Sequence, residues 1–199
     1  AIIGGGDCGT LREVLKHEEV EQVTQIDIDE RVTRVAEQFF PELCERNDDP
    51  RATLLFDDGV AWIRNAEPGS LDLIIVDSTD PVGPAEGLFG AQFYKDCVKA
   101  LADDGMLIQQ SESPLLHGQL IADMHKFMRA AGFDQTLVIP FPQPIYPSGW
   151  WSGSLARKGH EPLAHRLDNA DALDTQYYCA DIHRSAFVVP PFLKKLIGG

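Results

Sequence analysis

The feature that most constrains the fold is a regular alternation of short β-branched runs with amphipathic stretches along the chain. Strands that alternate with helices in this way form a mostly parallel sheet covered by helices, which is an α/β fold. The predicted strands cover residues 1–3, 22–26, 52–56, 71–76, 106–110, 133–139 and 151–155. With 199 residues the chain is long enough for one sizeable core, so we expect residues 1–199 to form a single domain.

Two helices carry specific predictions. Thr10 and Glu13 have the spacing of a capping box, which predicts that a helix begins near Thr10. A second helix is predicted from four apolar residues that would share one buried face, namely Val32, Val35, Ala36 and Phe39.

Carboxylates follow each of the first four predicted strands. They are Asp7, the pair Asp27 and Asp29, the pair Asp57 and Asp58, and the pair Asp77 and Asp80. Ligands bind to open parallel sheets beyond the carboxyl ends of the strands, so we expect these side chains to surround one site. Such a concentration of negative charge favours a cationic ligand.

The loop after the first strand contains Gly4, Gly6 and Gly9 in a GxGxxG pattern, which nicotinamide, flavin and adenosylmethionine proteins share. Asp7 lies inside this loop, where it would repel a pyrophosphate at the helix N-terminus. It would attract a sulfonium centre instead, by about 4 kcal/mol at 4 Å and an effective dielectric of about 20, before desolvation. The loop therefore favours a sulfonium nucleoside over a dinucleotide.

Overall composition excludes some partners. The net charge of −14 argues against a nucleic-acid ligand, although acidity also serves solubility. The apolar runs are too short to cross a bilayer. The cysteines are scattered without metal-ligand spacing, which predicts reduced thiols in a cytoplasmic protein; they are Cys8, Cys44, Cys97 and Cys179.

Three strand ends allow individual interpretations. Asp27 is placed to accept the hydroxyls of a ribose. Asp58 either forms an ordinary turn or accepts a hydrogen bond from an adenine amino group. Asp77 and Asp80 flank a turn; a bound ammonium would relieve their repulsion, and we expect burial and Asp80 together to raise the pKa of Asp77.

Three motifs together resemble the spermidine synthase family of aminopropyltransferases. They are GGGDCGTLREV at 4–14, DSTDPVGPAEGLF at 77–89 and YPSG at 146–149, and the likeness continues through 177–178 and 183–187. The resemblance implies a Rossmann-like fold of the adenosylmethionine-dependent methyltransferase type. It also implies transfer of an aminopropyl group from decarboxylated S-adenosylmethionine, the co-substrate, to putrescine. No metal or further cofactor is implied, and a homodimer or homotetramer is expected.

The resemblance further implies roles for individual residues. Asp77 is the implied catalytic carboxylate. The implied diamine-binding residues are Asp80, Tyr146 and Gln110. The implied nucleoside-binding residues are Gly4, Gly6, Asp7, Asp27, Asp58, Gly59, Pro84 and Leu88.

The chain departs from the family at three points. Cys8 replaces a usual glycine, Asp27 replaces a usual glutamate, and the N-terminal β-rich arm that contributes to the acceptor site is expected to be missing. Three alternatives therefore remain open. One is a spermine or thermospermine synthase, another is a putrescine N-methyltransferase, and the third is a catalytically silent nucleoside-binding protein.

Overall fold

Short runs rich in Val, Ile and Leu form the strands, as the alternation predicts. The computed structural model describes residues 1–160 and 173–198. The strands of its sheet are β1 (Ile2–Gly4), β2 (Val23–Asp27), β3 (Ala52–Phe56), β4 (Leu71–Asp77), β5 (Leu101–Gln110), β6 (Gln135–Pro142) and β7 (Trp150–Arg157). β5 begins five residues before its predicted start, and the other strands lie within three residues of their predicted bounds.

The strand order is β3-β2-β1-β4-β5-β7-β6. Strands β1 to β5 pair in parallel, and β7 pairs antiparallel with both β5 and β6. The prediction of a mostly parallel sheet is therefore confirmed. The chain runs outward from β1 to β3 and then returns to β4 on the other side of β1. Ligands bind to open α/β sheets at such a reversal, so the carboxyl ends of β1 and β4 mark the expected site.

Helices cover the sheet. They are α1 (Gly9–Val14), α2 (Glu30–Phe39), α3 (Gly59–Asn65), α4 (Ala91–Ala100), α5 (Gly118–Ala131), α6 (Ala180–Ala186) and α7 (Pro191–Leu196). A 3-10 segment, Gly83–Phe89, precedes α4. In residues 1–160 and 173–198, no helix is long and apolar enough to span a membrane.

Both faces of the sheet are packed. Neighbouring residues of β1 point to opposite faces: Ile3 joins the larger core with Ile74 of β4, whereas Ile2 packs with Leu11 of α1. Full burial of an aliphatic side chain such as Leu11 stabilises the fold by about 1.5–3 kcal/mol. This packing confirms that helices lie on both faces, and it holds the loop after β1 in the middle of the molecule.

The predicted apolar face of α2 is wrong for three of its four residues and confirmed for Ala36. Val32, Val35 and Phe39 are 45%, 51% and 63% exposed, whereas Thr33 and Ala36 are buried. The small side chains let α2 approach the glycine loop, where the Thr33 hydroxyl donates to a backbone carbonyl at 2.7 Å. Val32 lines a cavity instead of the core.

The predicted capping box is also wrong. α1 begins at Gly9, and its N-cap residue is Cys8, whose φ of 67° lies in the left-handed region. No side chain caps this helix. Thr10 lies within the first turn, and Glu13 pairs with Arg12 at 2.8 Å rather than with the N-cap amide. The Thr10 hydroxyl is therefore directed elsewhere.

Candidate functional site

The glycine loop packs directly on the end of β4. A Cβ atom on Gly4, whose φ is +85°, would lie 2.1 Å from the carbonyl oxygen of Asp77, so only glycine fits there. The Gly5 amide donates to the same carbonyl at 2.8 Å. The loop and the Asp77 backbone thus form one rigid unit.

A first cavity of about 450 Å³ opens above the loop. All of the residues predicted to bind a nucleoside line it: Gly4, Gly6, Asp7, Asp27, Asp58, Gly59, Pro84 and Leu88. Backbone, apolar side chains and carboxylates alternate around its wall. Its volume and mixed lining suit a molecule of nucleoside size.

Asp27 closes β2 and faces the glycine loop. One oxygen, Oδ1, accepts from the Asp29 amide at 2.9 Å. The other, Oδ2, would lie only 2.7 Å from a Cβ atom on Gly6. A side chain at position 6 would therefore displace this carboxylate, which explains the glycine there.

Asp58 and Asp7 each make a local turn. Asp58 is the N-cap of α3, and its Oδ1 accepts from the amides of Val60 and Ala61 at 2.8 and 3.1 Å. Asp7 accepts from the Gly9 amide at 2.9 Å. The turn interpretation of Asp58 is therefore correct, and the same side chain also lines the first cavity.

A second cavity of about 590 Å³ lies beside the first. Asp77, Asp80, Gln110 and Tyr146 all line it, which brings the predicted diamine residues together with the predicted catalytic carboxylate. Four residues line both cavities: Asp77, Ser78, Thr79 and Tyr146. The two cavities therefore meet at the end of β4, where Asp77 lies, and at Tyr146.

Asp77 is half-buried, and its surroundings raise the pKa of its carboxyl above the ordinary value. Burial is the main cause, and the charges of Asp7 and Asp27 add to it. The hydroxyl of Thr10 acts in the opposite direction, because it donates to Asp77 Oδ2 at 2.5 Å. The expectation that Asp80 raises this pKa is not met, since Asp80 acts on a different carboxyl group.

That carboxyl belongs to Glu112, which sequence reasoning missed. Glu112 lies two residues after the end of β5, has a φ of 67° and is 2% exposed. Burial, followed by the hydrogen bond and charge of Asp80, raises its pKa to about 7. Its Oε2 lies 3.2 Å from Nδ1 of His117, and its Oε1 has no hydrogen-bond donor among the described residues. The strand-end rule, extended from four strands to β5, finds this residue.

Aromatic side chains hold the outer wall of the second cavity. The Trp151 indole donates to Oε1 of Gln110 at 3.0 Å, and its ring lies 4.6 Å from that of Tyr146. Tyr146 remains 49% exposed. This wall is therefore assembled from β5, β7 and the turn before β7.

The combined site presents carboxylates to both cavities. In residues 1–160 and 173–198, no group of three or more His, Cys, Asp or Glu side chains is arranged to hold a metal ion. An array of uncompensated carboxylates attracts organic cations such as a sulfonium or an ammonium. The geometry suits a reaction between a ligand in one cavity and a ligand in the other, with Asp77 at their junction.

Comparison with known proteins gives a consistent result. The family profile described as "Spermine/spermidine synthase domain" matches residues 1–165. A polyamine aminopropyltransferase of Methylococcus capsulatus is 64% identical over 193 residues, which are 96% of this chain and 67% of the relative. A polyamine aminopropyltransferase of Thioalkalivibrio sulfidiphilus is 60% identical over 201 residues, which cover 100% of this chain and 71% of the relative.

Solved structures agree with the sequence comparison. A crystal structure of spermidine synthase in complex with the transition-state analogue AdoDATO superposes with a TM-score of 0.91 at 34% identity. The match covers 99% of this chain and 68% of that one.

Proposed function

The chain belongs to the spermine/spermidine synthase family and is an aminopropyltransferase; for its reaction, we propose transfer of the aminopropyl group of decarboxylated S-adenosylmethionine to putrescine. The observation that carries this proposal is the meeting of two carboxylate-lined cavities at Asp77. One cavity suits a cationic nucleoside, and the other suits a diamine.

In the donor cavity, Asp27 accepts the ribose hydroxyls through the oxygen that its own turn leaves unused. Asp58 accepts the adenine amino group in the same way, since only its Oδ1 is occupied by the cap of α3. Pro84 and Leu88 supply an apolar wall for the adenine ring. Asp7 attracts the sulfonium centre and discourages phosphate-bearing cofactors.

In the acceptor cavity, Asp80 binds the ammonium group remote from the reaction, and Glu112, which is buried next to Asp80, adds its charge. Burial and the neighbouring Asp80 raise the pKa of Glu112 to about 7, so its carboxyl holds a proton more readily than that of an exposed glutamate. A bound ammonium favours loss of that proton, because it supplies both charge and hydrogen bonds. Gln110 and Tyr146 position the chain of the diamine between this pair and Asp77.

The reaction is a direct displacement. The nitrogen of the acceptor attacks the aminopropyl carbon bonded to sulfur, a C–N bond forms, and the C–S bond breaks with its electrons moving to sulfur. The products are a neutral thioether, methylthioadenosine, and a protonated secondary amine, so the single proton released overall is the one that the acceptor ammonium gives up before the attack. A primary amine of pKa about 10.4 must first be neutral, which costs about 4–5 kcal/mol at pH 7.

Asp77 lowers this barrier in two ways. Its carboxylate accepts a hydrogen bond from the attacking amine and so aligns the nitrogen with the reacting carbon. Its raised pKa also makes it a better proton acceptor than an exposed aspartate. Orientation and proton transfer therefore act at the same carboxylate.

The direct test is to incubate the protein with decarboxylated S-adenosylmethionine and putrescine and to quantify products by mass spectrometry. We expect methylthioadenosine and spermidine in equal amounts. Spermidine or cadaverine as alternative acceptors measure specificity, and S-adenosylmethionine as donor tests for N-methyl transfer. Preference for spermidine as acceptor, or release of S-adenosylhomocysteine, would contradict the proposal; so would binding of methylthioadenosine without turnover.

A further inference from the structure

Thr10 makes a direct contact with the carboxylate at the junction of the two cavities. Its hydroxyl donates to Oδ2 of Asp77 at 2.5 Å, across 67 positions of the sequence. This is a short hydrogen bond to a charged acceptor, the stronger class of such bonds. Thr10 lies in the first turn of α1, and α1 is anchored by fully buried Leu11. The donor therefore sits on a rigid element.

The two carboxylate oxygens of Asp77 are consequently unequal. Oδ2 is occupied by Thr10 and also faces Gly5, where an added Cβ atom would lie 3.3 Å away. In the described part of the chain, no hydrogen bond is made to Oδ1. The main chain of Asp77 is fixed as well, by the Gly5 amide at 2.8 Å. Backbone and side chain are therefore both held, and one oxygen is left for a ligand.

The hydrogen bond from Thr10 also affects the ionisation of Asp77, because the charged residues that line the two cavities with Asp77 are all negative in the described part of the chain. Asp7 on the glycine loop and Asp27 on β2 both disfavour the ionised carboxylate, as does burial. Asp80 and Tyr146 are the other titratable groups that line the second cavity with it. No cation faces Asp77 among the described lining residues. The Thr10 hydroxyl is thus the neutral group that favours the charged form.

We propose that Thr10 is a positioning residue for the reaction: its hydroxyl holds the Asp77 carboxylate with Oδ1 free for the attacking amine. This inference rests on the proposed function, since it presumes that Asp77 receives the amine. Thr10 itself lines neither cavity. Its effect therefore reaches the reaction only through the orientation and charge of Asp77.

The test compares Thr10→Val, which keeps the shape and removes the donor, with Thr10→Ser, which keeps the donor. We expect Thr10→Val to lower kcat by about 10- to 10²-fold, the scale of a misaligned reacting group. The acid limb of its pH profile for kcat/KM moves to higher pH, because Asp77 loses the bond that favours ionisation. Thr10→Ser should show the wild-type kcat and the wild-type acid limb. The Kd of methylthioadenosine stays within about twofold of wild type in each variant.

Thr136→Val is the matched control, because the Thr136 hydroxyl accepts a bond from Arg129 at 3.1 Å far from both cavities. It should leave the pH profile unchanged. A wild-type kcat and pH profile in Thr10→Val overturn the proposal. So does a loss of activity that parallels a loss of methylthioadenosine affinity with no shift of the acid limb, which indicates a structural role for the loop. Wild-type protein that releases no methylthioadenosine refutes the proposed function instead.

Discussion

The two cavities are built in different ways. In the donor cavity, each of three carboxylates is held by a backbone amide two positions further along: Asp7 by Gly9, Asp27 by Asp29, and Asp58 by Val60. In the acceptor cavity, the wall is held by a hydrogen bond between side chains that are far apart in the sequence: the Trp151 indole donates to Gln110, 41 positions away.

This difference has a consequence for function. Carboxylates fixed by local turns keep their geometry without a ligand, which favours a preformed nucleoside site. The acceptor wall depends on the contact between the rings of Tyr146 and Trp151 and on the nearby Glu112 carboxyl, whose pKa burial and Asp80 raise to about 7. We therefore expect donor binding to be insensitive to pH near neutrality and acceptor binding to depend on it.

The largest expected effect is at the junction. Asp77→Asn keeps the shape of the side chain but removes its charge and basicity. Loss of a general base typically lowers the rate by about 10²- to 10⁴-fold, and we expect kcat to fall within this range. The Kd of methylthioadenosine, measured by calorimetry, should change little, because Asp77 contacts the amine rather than the nucleoside. Wild-type turnover in this variant would remove Asp77 from the mechanism.

Asp27→Ala should act on the donor cavity alone. Because hydrogen bonds to a charged acceptor are lost, the binding free energy of methylthioadenosine is expected to weaken by about 1.5–3 kcal/mol, with the KM of putrescine unchanged. Calorimetry measures the first quantity and steady-state kinetics the second. Asp181→Ala serves as the control, because exposed Asp181 pairs with Arg184 away from both cavities. An unchanged dissociation constant for Asp27→Ala would show that the ribose lies elsewhere.

Glu112→Gln should act on the acceptor cavity alone. In the wild type, Glu112 gains its charge as the pH rises through about 7, so the KM of putrescine should fall between pH 6 and pH 8. Both putrescine amines stay protonated over this range, so the change belongs to the protein. In Glu112→Gln, the KM should be raised about tenfold at pH 8 and should no longer fall with pH. A donor KM that follows the same pH dependence would contradict the division between the cavities.

The smallest expected effect is on stability. The pKa of Glu112 in the folded state, about 7, lies above its ordinary value of 4.5. Its contribution to stability is therefore fully present below pH 4.5 and is lost as the pH rises through 7. Ligand-free Glu112→Gln, which cannot ionise, should exceed the wild type in Tm at pH 8 more than at pH 5. Each kcal/mol corresponds to about 2–4 °C in a chain of this size. An equal difference at both pH values would contradict the pKa shift.

The failures of sequence reasoning share a cause. Hydrophobicity alone places the large apolar residues of α2 on its buried face, yet the close approach to the glycine loop selects only small ones, Thr33 and the correctly predicted Ala36. Thr10 was interpreted as a local cap, but its partner is 67 positions away. Glu112 carries no local motif, and its importance follows from a neighbour in another loop, Asp80.

Three features can be read from the amino-acid sequence alone: the alternation of strands and helices, the requirement for glycine in the loop after β1, and the carboxylates at the strand ends. These features depend on backbone sterics and on hydrogen bonds within a few residues, which a short stretch of sequence encodes. Two other features follow only from the tertiary structure: the hydrogen bond that Asp77 accepts from Thr10, and the effect of Asp80 on the pKa of Glu112. Both depend on the distance between segments that the sheet brings together, and no local pattern specifies that distance.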